Sequence, residues 1–314
     1  RDYIEVEKPS FWKNMHYLFE YQFGYMYFRY FAWNFIGRQD DVQGKMENDH
    51  GNWLSGIKPI DSFRLGSQKN LPSEVLNNKA RNTYYFLPLL LGLLGLFYMS
   101  VKSERQTWVV MMLFLFTGLA MKIYLNERPF EPRERDYALV GSFYAFAIWI
   151  GVGVYALFHA LRKVLSPRIG APLAVVASLL AVPVLMASEN WDDHNRSQKY
   201  SAEFIADAYL SSVVKDKDAM IFTIGDNDTF LLWYAQEIEG YRTDVRVINT
   251  SLLQTDWYID QMKRQAYQSS PIPGEMVHKQ YAHGVREGVY FQKRTENRWN
   301  IKDFVKWVTA MTPI

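Results

Sequence analysis

Four stretches of the chain carry no Asp, Glu, Lys or Arg, and they set the strongest limit on what it can fold into. Residues 82–101 hold 20 such positions, 106–121 hold 16, 137–161 hold 25 and 169–188 hold 20. A helix crossing bilayer hydrocarbon needs about 20 mostly apolar residues, within a range of about 17–25. Three runs meet that length alone; 106–121 meets it if Lys122 snorkels its ammonium to the headgroups. The runs predict four transmembrane helices, over about 83–101, 106–125, 137–161 and 171–188. Pro88 and Pro183 are compatible with them, because neighbouring helices can satisfy the freed backbone groups.

Whole-chain averages hide this pattern. A mean hydropathy of −0.21 is the sum of an apolar block and a polar remainder. The 35 basic and 33 acidic residues argue against a nucleic-acid partner and against an acidic disordered tail. The absence of cysteine excludes disulfides, thiolate metal sites and cysteine nucleophiles. Aromatic residues reach 16 % of the 314 positions, and such side chains concentrate where apolar and wet surfaces meet.

The loops predict orientation. Lys102-Ser-Glu-Arg105 and Arg162-Lys163 with Arg168 make the first and third connections net positive, hence cytoplasmic. The middle connection, the stretch before Tyr84 and residues 190–314 then face outward from the inner (cytoplasmic) membrane. The chain opens on Arg1-Asp-Tyr-Ile-Glu5 without the regions of a signal peptide and without an initiator Met. It reads as a segment of a longer protein. Its parts are an aromatic helix over 1–36, an outer loop over 37–82, the transmembrane region over 83–188 and an extracytoplasmic α/β domain over 189–314.

Residues 11–35 contain 13 aromatics together with Lys13, His16, Glu20, Gln22, Arg29 and Asn34. Such a segment lies in the membrane interface or lines a polar cavity in a bundle, where Glu20 and Arg29 would be functional. The following loop is rich in Gly and Asn, but Trp53, Ile57, Ile60 and Phe63 favour order against the membrane. Asp40 and Asp41 are candidates for base or cation contacts, against the plainer reading of a surface turn. The connector Glu127–Asp136 packs seven charges into ten residues between two spans, with Pro129 and Pro132 preventing a continuous helix. It is a solvated connector or a lipid-phosphate site. In the second case Arg128, Arg133 and Arg135 bind phosphate through their planar forks, and Glu131, Glu134 or Asp136 orient them.

From Glu189 the composition is that of a soluble globule. Helical spacing over 199–214 precedes a strand at Ala219–Ile224, a helix through Leu231 and Ile238, a strand at Asp244–Ile248, and a helix capped by Thr255 or Asp256. That order implies parallel pairing, with ligands at the carboxyl ends of the strands. There, Asp226 and Asp228 contact a ligand, an acceptor or a divalent cation, or Asp228 simply caps a helix. No other cofactor is indicated, and the six His lack zinc-ligand spacing. Gly288–Gln292 reads as a further strand.

Several runs carry a resemblance. They are Tyr27-Phe-Arg-Tyr-Phe-Ala-Trp-Asn-Phe-Ile-Gly-Arg-Gln-Asp40, Gly51-Asn-Trp-Leu-Ser-Gly-Ile57, Leu125-Asn-Glu-Arg-Pro-Phe-Glu-Pro-Arg-Glu-Arg-Asp-Tyr137, Glu189-Asn-Trp-Asp-Asp-His194 and Gly225-Asp-Asn-Asp-Thr229. Together they resemble a family of bacterial multi-spanning proteins related to the eukaryotic transmembrane O-mannosyltransferase that acts on plexin-type domains. That family is similar to the GT-C glycosyltransferases. The resemblance implies a GT-C-like α-helical membrane bundle followed by an α/β extracytoplasmic domain. It also implies a superfamily catalytic acid in an outer loop ahead of these 314 residues.

The expectation is a membrane glycosyltransferase, or its carboxyl-terminal half. It would move a sugar, mannose by the resemblance, from a polyprenyl-phosphate donor to Ser or Thr hydroxyls of an exported protein. Arg133 and Arg135 lead the phosphate contacts, with Arg128, Asp136, Arg38, Trp53, Asp226 and Asp228 as further substrate contacts. Asp40, Asp41 and Glu134 serve acceptor or cation roles. The alternatives are a non-enzymatic membrane-anchored assembly module and a transporter lined by Glu20 and Arg29.

Overall fold

The structure is a computed structural model that describes residues 8–131, 133–215, 218–285, 300 and 302–303. It contains two compact units, Arg1–Arg196 and Ser197–Ile314.

Unit 1 opens with one continuous helical stretch: α1 (Phe11–His16), a π-helical segment (Tyr17–Phe28) and α2 (Arg29–Phe35). Ser10 caps α1, its hydroxyl accepting the Lys13 N–H. In the π-helical segment backbone bonds reach five residues back, as from Arg29 N–H to Gly24 O. The wider turn keeps residues four apart on one face. Tyr17, Tyr21 and Tyr25 stack with centroids 5.2 and 5.6 Å apart. Arg29 continues the column, its guanidinium 4.2 Å from the Tyr25 ring centre and 4.8 Å from that of Trp33. The two halves of this segment differ in burial. Phe11, Trp12 and Phe19 are exposed, whereas Tyr27, Phe31 and Phe35 are buried.

The segment after α2 is ordered. β1 (Gly37–Arg38) pairs antiparallel with β2 (Asn82–Thr83), and between them lie α3 (Lys58–Leu65) and α4 (Ser73–Leu76). Gly37 has φ +132°, and a Cβ there would stand 2.3 Å from the Leu54 carbonyl. Only glycine lets the strand approach this closely. Buried Asp61 accepts the Ser55 and Gly56 amides at 2.9 and 2.8 Å and closes the turn before α3.

Four helical passes follow: α5 (Leu87–Lys102), α6 with α7 (Glu104–Thr117 and Leu119–Leu125), α8 (Asp136–Leu161), and α9 with α10 (Pro167–Leu179 and Leu185–His194, joined by a π-helical turn). Three of these passes are long and apolar enough to cross a membrane: Glu104–Leu125, Asp136–Leu161 and Pro167–His194. α5 falls short of the span expected at 83–101. Its 16 residues make about 24 Å of helix, because Asn82 and Thr83 are taken into β2 and Tyr85 and Phe86 adopt positive φ. Even so, the residues leading into α5 lie beside the middle of α10, where Thr83 N–H donates to Glu189 and Asn190 Nδ2 donates to the Tyr84 hydroxyl. It finishes near the end of α8, with Tyr98 5.8 Å from Tyr155. α5 and α8 are therefore parallel and packed through small residues. A Cβ on Gly95 would lie 1.8 Å from the Trp149 carbonyl, and one on Gly153 2.1 Å from that of Leu91.

Lys122 departs from expectation. Rather than reaching to headgroups it turns inward, is 2 % exposed, and places Nζ 2.6 Å from Glu127. A buried ammonium needs such a partner.

Unit 2 is smaller. α11 (Ser201–Ser211), β3 (Met220–Thr223), α12 (Asp226–Glu237), β4 (Arg246–Asn249), α13 (Asp256–Met262) and α14 (His278–Tyr281) succeed one another. β3 and β4 pair in parallel, Met220 opposite Arg246, through the crossover helix α12. Ala206, Leu210, Leu232, Ala235, Val245 and Val247 form its core. The expected strands are thus present in shortened form; the sheet is two-stranded and helix dominates the molecule. The segment Gly288–Gln292 lies outside the described residues.

Candidate functional site

The charged connector between α7 and α8 folds back over the aromatic helix. Asn126, in the left-handed region at φ +41°, ends α7 and accepts the Gln22 amide at 3.2 Å. The Phe130 N–H donates to the Tyr21 hydroxyl, and the two rings meet edge to face. This return brings charges from three elements together. Arg29 donates to Glu134 through Nη2 and to the Gly51 carbonyl through Nη1 at 2.7 Å. Glu134 also faces Lys122 at 3.9 Å, Lys122 holds Glu127, and Arg135 Nε lies 3.5 Å from Glu127. Burial pushes the Glu134 carboxyl above the usual range, while Arg29 and Lys122 oppose that shift. A chain of alternating charges of this kind ties Glu127, Glu134 and Arg135 of the connector to α2 and α7.

Above it opens a cavity of about 860 Å³. Its walls come from α2 (Tyr30, Trp33), the segment after it (Arg38, Asp41), the connector and α8 (Arg133, Glu134, Asp136, Phe143), α10 (Asn190, Trp191) and Arg196 just beyond it. The Tyr30 hydroxyl donates to Asp136, which sits at the first residue of α8, where the helix dipole favours a carboxylate. Arg38 spans the base of the wall, donating to Ala80 O at 3.0 Å and pairing with Asp193 at 2.7 Å. Arg133 and Arg196 are exposed and carry no ion pair among the described residues; neither does Asp41. The cavity therefore offers two uncommitted guanidinium groups and one uncommitted carboxylate beside an apolar helix face.

Of the residues singled out from sequence, Arg38, Asp41, Arg133, Glu134 and Asp136 share this cavity. Arg135 turns to Glu127 and Glu131, and Arg128 is exposed away from the cavity wall. Asp40 is buried and accepts the Gly51 N–H, the Val42 N–H and His50 Nδ1, so it organises its own loop. Trp53 lies under the Arg64 guanidinium at 3.6 Å and borders a separate recess of about 300 Å³ with Glu20 and Arg29. In unit 2, Asp228 accepts the Ile224 N–H at 3.0 Å across the strand-to-helix turn, and Asp226 is exposed. No group of three or more metal-ligating side chains converges among the described residues. Sequence reasoning missed Arg196 and the inward pairing of Lys122; the one signal for Arg196 is its place just after the motif ending at His194.

Helices of bilayer length with a charged cavity at one end place the chain in the membrane class of helical proteins. Residues 202–313 match the family described as TMEM260-associated domain 2. No curated protein and no solved structure matches the chain.

Proposed function

We propose that this chain is a membrane glycosyltransferase, or part of one, that uses a polyprenyl-phosphate-linked sugar and glycosylates Ser or Thr of an exported protein. The observation that carries the reading is the cavity in which Arg133 and Arg196 stand without counter-ions beside Asp41. A phosphate head would take the two guanidinium groups, and the polyprenyl chain would follow the exposed apolar face of α8 at Val140 and Tyr144. Asp41 accepts the hydrogen bond of the acceptor hydroxyl. As the acceptor oxygen bonds to the sugar C1 and loses its proton to a general base, the C1–O bond to phosphate breaks. Its electron pair leaves with the phosphate, where the Arg charges stabilise it. The TMEM260-associated domain in unit 2, read as an α/β layer on the extracytoplasmic side, agrees with this assignment.

The test is donor binding in nanodiscs. Arg133→Ala and Arg196→Ala should each weaken binding of a polyprenyl-phosphate sugar by about tenfold or more, and together abolish it. Unchanged binding and turnover in the double variant would overturn the proposal. Arg128→Ala, away from the cavity, serves as the control.

A further inference from the structure

Two buried arginines lie four residues apart in unit 2 and are treated differently. Arg242 pairs with Asp244 at 2.8 Å. Arg246, on β4 and only 4 % exposed, has no carboxylate within ion-pair distance among the described residues. Its Nη2 donates to the carbonyls of Gln261, Met262 and Arg264 at 2.8–3.1 Å, and Nη1 makes a single 3.4 Å contact to the Ser269 hydroxyl. The buried Nε–H has no acceptor. Burying a guanidinium without an anion is costly, and natural interiors seldom leave one so.

A cavity of about 410 Å³ borders this side chain, within the range of small-ligand sites. Trp233, Val245 and Tyr267 contribute apolar and aromatic wall, and exposed Arg264 also lines it. Glu237 lines it too, but accepts the Tyr267 hydroxyl.

We infer that this cavity binds a carboxylate carried on a flat apolar body, with Arg246 as the buried counter-charge and Arg264 as the second cation. One buried guanidinium is neutralised by a monoanion, and the Glu237 carboxylate disfavours a phosphate dianion. The same chemistry is available from a free aryl acid or from the aromatic carboxyl terminus of a polypeptide.

Fluorine-detected NMR on the full chain in nanodiscs tests this with 4-fluorophenylacetate, a capped tripeptide ending in 4-fluorophenylalanine, and the amide of each. At least one acid should bind about tenfold or more tighter than its amide; the tighter of the two acids identifies the source. Arg246→Gln should remove binding. Because Arg246 also holds three carbonyls, Arg264→Glu is the second variant, expected to weaken the acid and leave the amide unchanged. Equal binding of acid and amide, no binding below about 10 mM, or indifference to Arg264→Glu would overturn the inference.

Discussion

At the scale of single residues, the Arg29–Glu134 contact joins an aromatic helix to a connector 105 positions away, with both side chains nearly buried. Removing one partner of such a pair strands the other. Arg29→Met or Glu134→Leu should each cost about 3–5 kcal/mol, and the double variant distinctly less than the sum. Thermal unfolding in detergent measures both; additive losses would show that the two do not interact. His50 gives a pH-dependent prediction. Its hydrogen bond to Asp40 raises its pKa above the ordinary histidine value. The stabilisation is complete below about pH 6.5 and is lost as pH rises through the higher folded value. His50→Gln should flatten the melting temperature over that window, whereas a slope unchanged by the substitution would remove His50 as its source. Arg29 and Glu134 were singled out separately because charge inside or against an apolar segment is expensive, but their pairing across 105 positions was not legible. Nor was the inward turn of Lys122: its partner Glu127 lies five residues on, beyond the end of α7, where helical periodicity gives no guidance.

At the scale of elements, charge-free runs located the three helices long and apolar enough to cross a membrane and the shorter α5, because backbone satisfaction in lipid demands helix. They did not locate the start of α5, which depends on pairing of Thr83 with Gly37 across 45 intervening residues. Nor did sequence announce the π-helical segment, although aromatic or cationic side chains at 17, 21, 25, 29 and 33 repeat every four residues. The closest helix contact makes its own prediction. With the Trp149 carbonyl and the Gly153 nitrogen against Gly95, Gly95→Leu should force α5 off α8 and cost about 1–3 kcal/mol or more. Gly151→Ala, where a Cβ meets nothing within 4 Å, should be silent in the same denaturation assay. Equal effects would mean that the small-residue contact does not hold the pair.

At the scale of the whole molecule, the absence of cysteine makes topology directly measurable. In the proposed orientation, Arg128→Cys and Asp226→Cys react with an impermeant maleimide in intact cells, while Ser103→Cys reacts only after permeabilisation. Labelling of Ser103→Cys and Arg128→Cys from one side would reject the up-and-down arrangement. Labelling of Asp226→Cys only after permeabilisation would reject the outer placement of unit 2.

The wall of the large cavity has a consequence for biosynthesis. Arg38 meets Asp193 across 155 positions of chain. At about 5–20 residues per second, roughly 8–30 s separate the synthesis of the two sides. Until α10 is in place, Arg38 and the connector have no opposite wall, so a ribosome-bound intermediate cannot hold a ligand there. The cavity is thereby completed only after α10 has been synthesised, so the order of translation sets the earliest moment at which both of its walls exist.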